Sequence, residues 1–175
     1  MTVVVDVADA TGLVAGHDAV RALVEAVLEA EGGSGEVSVA FVDESSIAEL
    51  NGRYREVEGS TDVLAFDYTA DAEWPGQAGR GGRASGDGPA EDRSPAEGGA
   101  VCGEVVVCPQ VVIRYAAEEG REAILQLGWT LIHGTLHLAG YDHETDQGEM
   151  REREQELLRR LGGLVQALAL TASGG

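Results

Sequence analysis

The chain has 175 residues, enough for one domain with a substantial core. Hydrophobic residues make up 43%, and no run approaches the ~18–20 apolar residues a membrane-spanning helix needs. Twelve basic residues, every one of them Arg, face 31 acidic ones for a formal net charge of −19, a balance that repels polyanions at long range and by itself argues against nucleic-acid binding.

Two sources of this acidity are consistent with the composition. One is a saline environment, where ~1 M salt shortens the Debye length to ~3 Å. The other is a GC-rich genome favouring Arg, Ala, Gly and Val, which leaves the acid excess itself unexplained. The Val-rich run after Met1 has no basic leader and no small-residue cleavage site, so it reads as a first strand, and the expected location is the cytoplasm.

Val3 to Val7 is β-branched and predicts a strand. Ala15 to Glu31 carries Val20, Leu23, Val24, Val27 and Leu28 at helical spacing, stopped by Gly32 and Gly33. Val37, Val39 and Phe41 alternate as a second strand. Asp43 is placed to cap a helix bearing Ile47 and Leu50, with Ser46 three residues on. Asp62 to Asp67 and Gly103 to Cys108 are two further strands. Between them, 71–100 holds eight Gly and three of the four Pro with hardly any large apolar residues, so a disordered insertion is expected. Pro109 opens a helix to Glu119, Gly120 breaks it, Arg121 to Leu138 forms a long helix ended by Gly140, and Asp146 to Leu161 forms a last amphipathic helix.

The expected architecture is α+β: a small mixed four-stranded sheet packed by about five helices in one zincin-like domain. That domain comprises 1–70 and 101–165, with 71–100 inserted and 166–175 as a tail. Cys102 and Cys108, six residues apart on one extended strand, stand ~20 Å apart at ~3.3 Å per residue, too far for a disulfide, so both are expected as free thiols.

Three of the four His fall within eleven residues, from His133 through His137 to His143. His133 and His137 leave one helix face one turn apart, Gly140 lets the chain reverse, and His143 can swing back as a third ligand. Three imidazoles and an open position are the donor set of a catalytic zinc, one per chain, which lowers the pKa of its water towards 7 and polarises the bond to be cleaved. Two imidazoles on so apolar a helix (Leu125, Leu127, Trp129, Leu131, Ile132, Leu136) would be costly to bury without such a role. His17 stands alone and reads as a surface residue.

The spacing H-x-x-x-H-x-x-G-x-x-H equals that of metzincin proteases, but Gly134 occupies the place of their general-base Glu. A protease or amidase would need another carboxylate, for which Glu144 is the candidate.

The string His133-Gly-Thr-Leu-His137-Leu-Ala-Gly140-Tyr-Asp-His143 resembles the YbeY family of bacterial endoribonucleases. Three further blocks resemble that family in order: Glu49 to Arg55, Ser60 to Phe66 and Gly103 to Cys108. The resemblance implies a zinc site at the three His and a catalytic role for Arg55. It also implies a single-strand-specific RNA cut near the 3′ end of small-subunit rRNA, with a part in ribosome quality control. Arg55 suits this role, since its fixed charge can clamp a phosphate bidentately. Asp142 and Thr61 are candidates to orient the ligands. Ala65, Asp67 and Glu104 depart from the family's usual Ser, Pro and Asp. A non-catalytic ribosome assembly factor with a structural zinc is the remaining reading, and it would require a fourth protein ligand.

Overall fold

In a computed structural model of the protein, residues 3–55, 59–68, 83–84, 100–141 and 148–171 are described, with the backbone alone at 55, 83, 84, 100 and 101. The elements in chain order are β1 (Val3–Asp9), β2 (Val14–Ala15), α1 (His17–Ala30), β3 (Ser34–Phe41), α2 (Glu44–Leu50), a π-helical turn (Asn51–Arg55), β4 (Val63–Asp67), β5 (Arg83–Ala84), β6 (Ala100–Val107), α3 (Pro109–Glu119), α4 (Ala123–Leu138), α5 (Glu149–Arg160), α6 (Gly162–Gln166) and β7 (Ala169–Leu170).

The main sheet has the order β1-β3-β6-β4-β5. β1 and β6 run parallel to β3, while β4 runs antiparallel to β6. The four longer strands are those read from the sequence, and the mixed α+β class holds. β5 adds two residues beside Phe66 and Asp67. It falls inside the expected insertion, the rest of which, up to β6, lies outside the described residues.

Strand register sorts the side chains onto two faces. Val5, Val37, Val39, Val105, Val107 and Ala65 point to one side and join Leu23, Val24 and Val27 of α1 and Leu127, Leu131 and Ile132 of α4 in the main core. Leu64, Phe66 and Val106 point to the other, against Ile47 of α2 and Val111 of α3. α4 lies close against the sheet, and glycine makes this possible: a Cβ at Gly134 would fall 2.8 Å from Val105 Cγ1 and 3.1 Å from Val63 Cγ2. At Gly103, on the strand below, a Cβ would meet Leu138 at 2.7 Å.

Local signals behave as read. The Asp43 side chain accepts from the Ser46 amide, capping α2, and Gly120 ends α3 at φ 68°. Cys102 and Cys108 are free thiols, the second just past the strand end as the residue before α3. The expected C-terminal tail from 166 differs. Leu168 is buried at 4% exposure, β7 pairs antiparallel with β2, and the Thr171 amide donates to the Leu13 carbonyl. Burial of Leu168 in the core under α1 is what draws this segment back onto the domain. No helix among the described residues is long and apolar enough to cross a membrane.

Candidate active site

α4 delivers His133 and His137 to the edge of the core. Its interior hides polar groups by turning them onto its own backbone: the hydroxyls of Thr130 and Thr135 donate to the carbonyls of Gln126 and Leu131 at 2.8 and 2.7 Å. The helix ends where Gly140 adopts φ 111°. There the Gly140 amide donates to the His137 carbonyl and the Tyr141 amide to the Leu136 carbonyl.

The two imidazoles stand nearly perpendicular, their centroids 4.7 Å apart. His133 Nδ1 meets Glu154 Oε2 at 2.5 Å. The other Glu154 oxygen accepts from Trp129 Nε1 at 3.0 Å, and the Trp129 indole stacks on the His133 ring at 4.9 Å. His137 Nδ1 lies 3.0 Å from the Tyr141 carbonyl oxygen. Both Nδ1 atoms therefore face acceptors. In a neutral ring such acceptors favour the tautomer in which Nδ1 carries the proton and Nε2 the lone pair, the arrangement a ligating histidine takes.

His143 lies outside the described residues, as do Asp142 and Glu144, and so does the side chain of Arg55. The Arg55 backbone closes the π-helical turn, and buried Asn51 at its start donates from Nδ2 to the Gly59 carbonyl at 3.0 Å, joining the two sides of this loop. The Thr61 hydroxyl points to Asp62 Oδ1 at 3.4 Å. His17, at the start of α1, places Nε2 3.2 Å from the Val14 carbonyl, away from the pair.

His133 opens onto a groove of about 940 Å³ that Asp62, Trp129 and Glu154 also line. Asp62 precedes β4, and burial pushes its carboxyl above the ordinary range, partly offset by backbone hydrogen bonding. Arg121 and Arg151 supply the basic groups of the groove, against Asp62, Glu118, Glu119 and Glu154.

Glu154, Trp129 and Asp62 are the groups that sequence reasoning passed over. Glu154 sits among Glu149, Glu152 and Glu156 and looks like one more solvated acid. Its signal was positional: it follows Met150 by four residues and precedes Leu157 by three, which puts it on the buried stripe of α5.

The position of Gly134 bears on the metzincin spacing. It faces β4 and β6 rather than the groove, and there is no room there even for a methyl group. A carboxylate at this position would lie under the sheet, away from the imidazoles.

Comparison with known proteins bears on the family and the overall fold. The family model described as "Endoribonuclease YbeY" matches residues 11–162. Relatives carrying that name include one from Desulforamulus reducens, 35% identical over 147 residues (82% of this chain, 84% of the relative). Another, from Halorhodospira halophila, is 37% identical over 145 residues (82% of this chain, 81% of the relative). Among solved structures, the solution structure of TM1509 from Thermotoga maritima superposes with a TM-score of 0.58 at 26% identity, covering 93% of this chain and 92% of that one.

Proposed function

This chain belongs to the endoribonuclease YbeY family, and on that premise we propose that it is a zinc-dependent endoribonuclease cutting single-stranded RNA. Its place of action would be the 3′ end of small-subunit rRNA, in ribosome maturation and quality control in the cytoplasm. The observation that carries the zinc reading is the pair of imidazoles on α4, each with Nδ1 turned to an acceptor and the rings perpendicular at 4.7 Å.

His133, His137 and His143 would hold the ion. When bound, zinc supplies Lewis-acid chemistry, polarising a phosphoryl oxygen and acidifying water at neutral pH. The chain's own residues do the rest. Glu154 and the Tyr141 carbonyl hold the two imidazoles in the ligating tautomer, and Trp129 packs against one ring. Arg55 would bind the scissile phosphate, where a fixed cation stabilises the negative charge gained in the transition state. The protease reading loses support from Gly134, since the position where metzincins carry their base is filled by the sheet.

The test combines metal analysis with cleavage of single-stranded RNA and of a peptide library, for the wild type, His133→Ala and Arg55→Ala. His133→Ala should lose both zinc and RNA cutting, and Arg55→Ala should keep zinc and lose cutting. RNA cutting that persists without metal would end the proposal. With a net charge of −19, added salt should strengthen RNA binding by screening repulsion, the reverse of the usual dependence.

A further inference from the structure

We propose that Arg153, Glu31 and Tyr141 form a positioning arm that sets the His137 imidazole for metal binding. This rests on the zinc reading above.

Tyr141 is the third residue past the end of α4, and its carbonyl oxygen is the group His137 Nδ1 faces. Its placement decides where that ring points. Tyr141 is held at both ends. Its amide donates to the Leu136 carbonyl at 3.0 Å, and its hydroxyl donates to Glu31 Oε1 at 3.0 Å. Glu31 closes α1, 110 positions away in the chain. Its second oxygen accepts from Arg153 Nε at 2.6 Å. Arg153 in turn is fixed from three sides, since its Nη2 donates to the Ala30 carbonyl at 3.3 Å and its Nη1 to Glu156 at 2.9 Å.

The Glu31 and Arg153 side chains are 12% and 20% exposed. A pair this withdrawn from water gives up much of its Coulomb gain to desolvation, and apolar residues of similar volume would hold the helices together as well. What the polar arrangement adds is direction: a carboxylate with one donor on each oxygen fixes the Tyr141 hydroxyl to a single place.

The helix that carries Arg153 also carries Glu154, its neighbour in sequence, which faces His133. Successive helical residues project about 100° apart, so α5 reaches the two imidazoles by separate routes. Glu154 makes the contact directly. Arg153 acts through Glu31 and the tyrosine.

The experiment uses the full chain stripped of metal and titrated with zinc against a chromophoric chelator. Alongside, 15N NMR of the imidazoles reads the His137 tautomer in the metal-free protein. Arg153→Met should weaken zinc binding about tenfold, at the lower end of what ligand-orienting partners contribute. Glu31→Gln and Tyr141→Phe should weaken it several-fold, and all three should reduce the fraction of His137 protonated on Nδ1. Arg114→Met, which removes an exposed pair with Glu44 on another face, should change neither readout. A purely structural role would lower the melting temperature and leave affinity and tautomer at wild-type values, and that result overturns the proposal. If Arg153→Met does not fold, Tyr141→Phe, which deletes one hydroxyl, decides alone. A wild-type chain that binds no zinc would sink the zinc reading and the arm together. Wild-type binding with unchanged variants would sink only the arm.

Discussion

Replacing Glu154 by Gln separates metal affinity from fold stability, because the two effects fall on different atoms. Glu154 is 5% exposed, and its two oxygens meet two ring N–H groups, His133 Nδ1 at 2.5 Å and Trp129 Nε1 at 3.0 Å. Gln keeps the volume but offers one acceptor and one donor. Trp129 can only donate, so it claims the amide oxygen. The amide NH2 then faces His133 Nδ1 and favours the tautomer with the proton on Nε2, which cannot ligate. Loss of such a ligand-orienting partner lowers metal affinity by ~10–100-fold, or ~1.4–2.7 kcal/mol. The metal-free protein should lose little, since neither buried donor is left facing an apolar wall. Glu154→Ala is the contrast: it orphans both donors at ~1–3 kcal/mol each and opens a cavity, so affinity and stability should fall together. Chelator competition gives the zinc affinity, and thermal unfolding monitored by circular dichroism gives the stability of the metal-free chain. A folded Glu154→Gln protein with wild-type zinc affinity would refute the claim that this carboxylate sets His133 for ligation.

Other substitutions read other parts of the structure. Gly134→Ala puts a methyl 2.8 Å from Val105 Cγ1 and should destabilise by ~1–3 kcal/mol in denaturant unfolding, while Gly134→Glu should fail to fold rather than gain peptidase activity on a peptide library. Burial pushes the Glu104 carboxyl above its ordinary value of 4.5. Its ionised form therefore opposes folding at neutral pH, and stability is regained as pH falls through the raised value towards the ordinary one. Glu104→Gln should accordingly raise the melting temperature at pH 7, with the gain fading by pH 4 in a pH series of thermal melts. Deleting residues 166–175 removes the buried Leu168 and the β2–β7 pairing, so the melting temperature should drop by roughly 2–4 °C for each of the ~1.5–3 kcal/mol that a buried leucine contributes.

Much of the fold could be read from the chain because its signals are local. Val20, Leu23, Val24, Val27 and Leu28 recur at helical spacing and are the buried face of α1. Asp43 and Gly120 act on the backbone within a few residues of themselves, so their meaning does not wait on tertiary contacts. β2 and β7 are two residues each and exist only because Leu13 to Ala15 meets Ala169 to Thr171 across the domain. Nothing within either segment announces the other. The same applies to β5, whose residues Arg83 and Ala84 carry no strand pattern and are defined by pairing with Asp67 and Phe66.

The site divides along the same line. His133 and His137 are legible because a separation of four residues on a helix is itself the geometry. The groups that orient them come from 21 positions along the chain at Glu154 and, through Tyr141, from 110 positions away at Glu31. Their residue types are commonplace in a protein with 31 acids, so composition hides them. Burial is what sets them apart: Glu154 lies on the apolar stripe of α5 and Glu31 at the covered end of α1, while most of their acidic neighbours face water. In so anionic a chain, Glu154 and Glu31 are carboxylates withdrawn from solvent and given ring N–H, hydroxyl or guanidinium partners that lead to the imidazoles. The remaining acids set the long-range field that any RNA must cross to reach them.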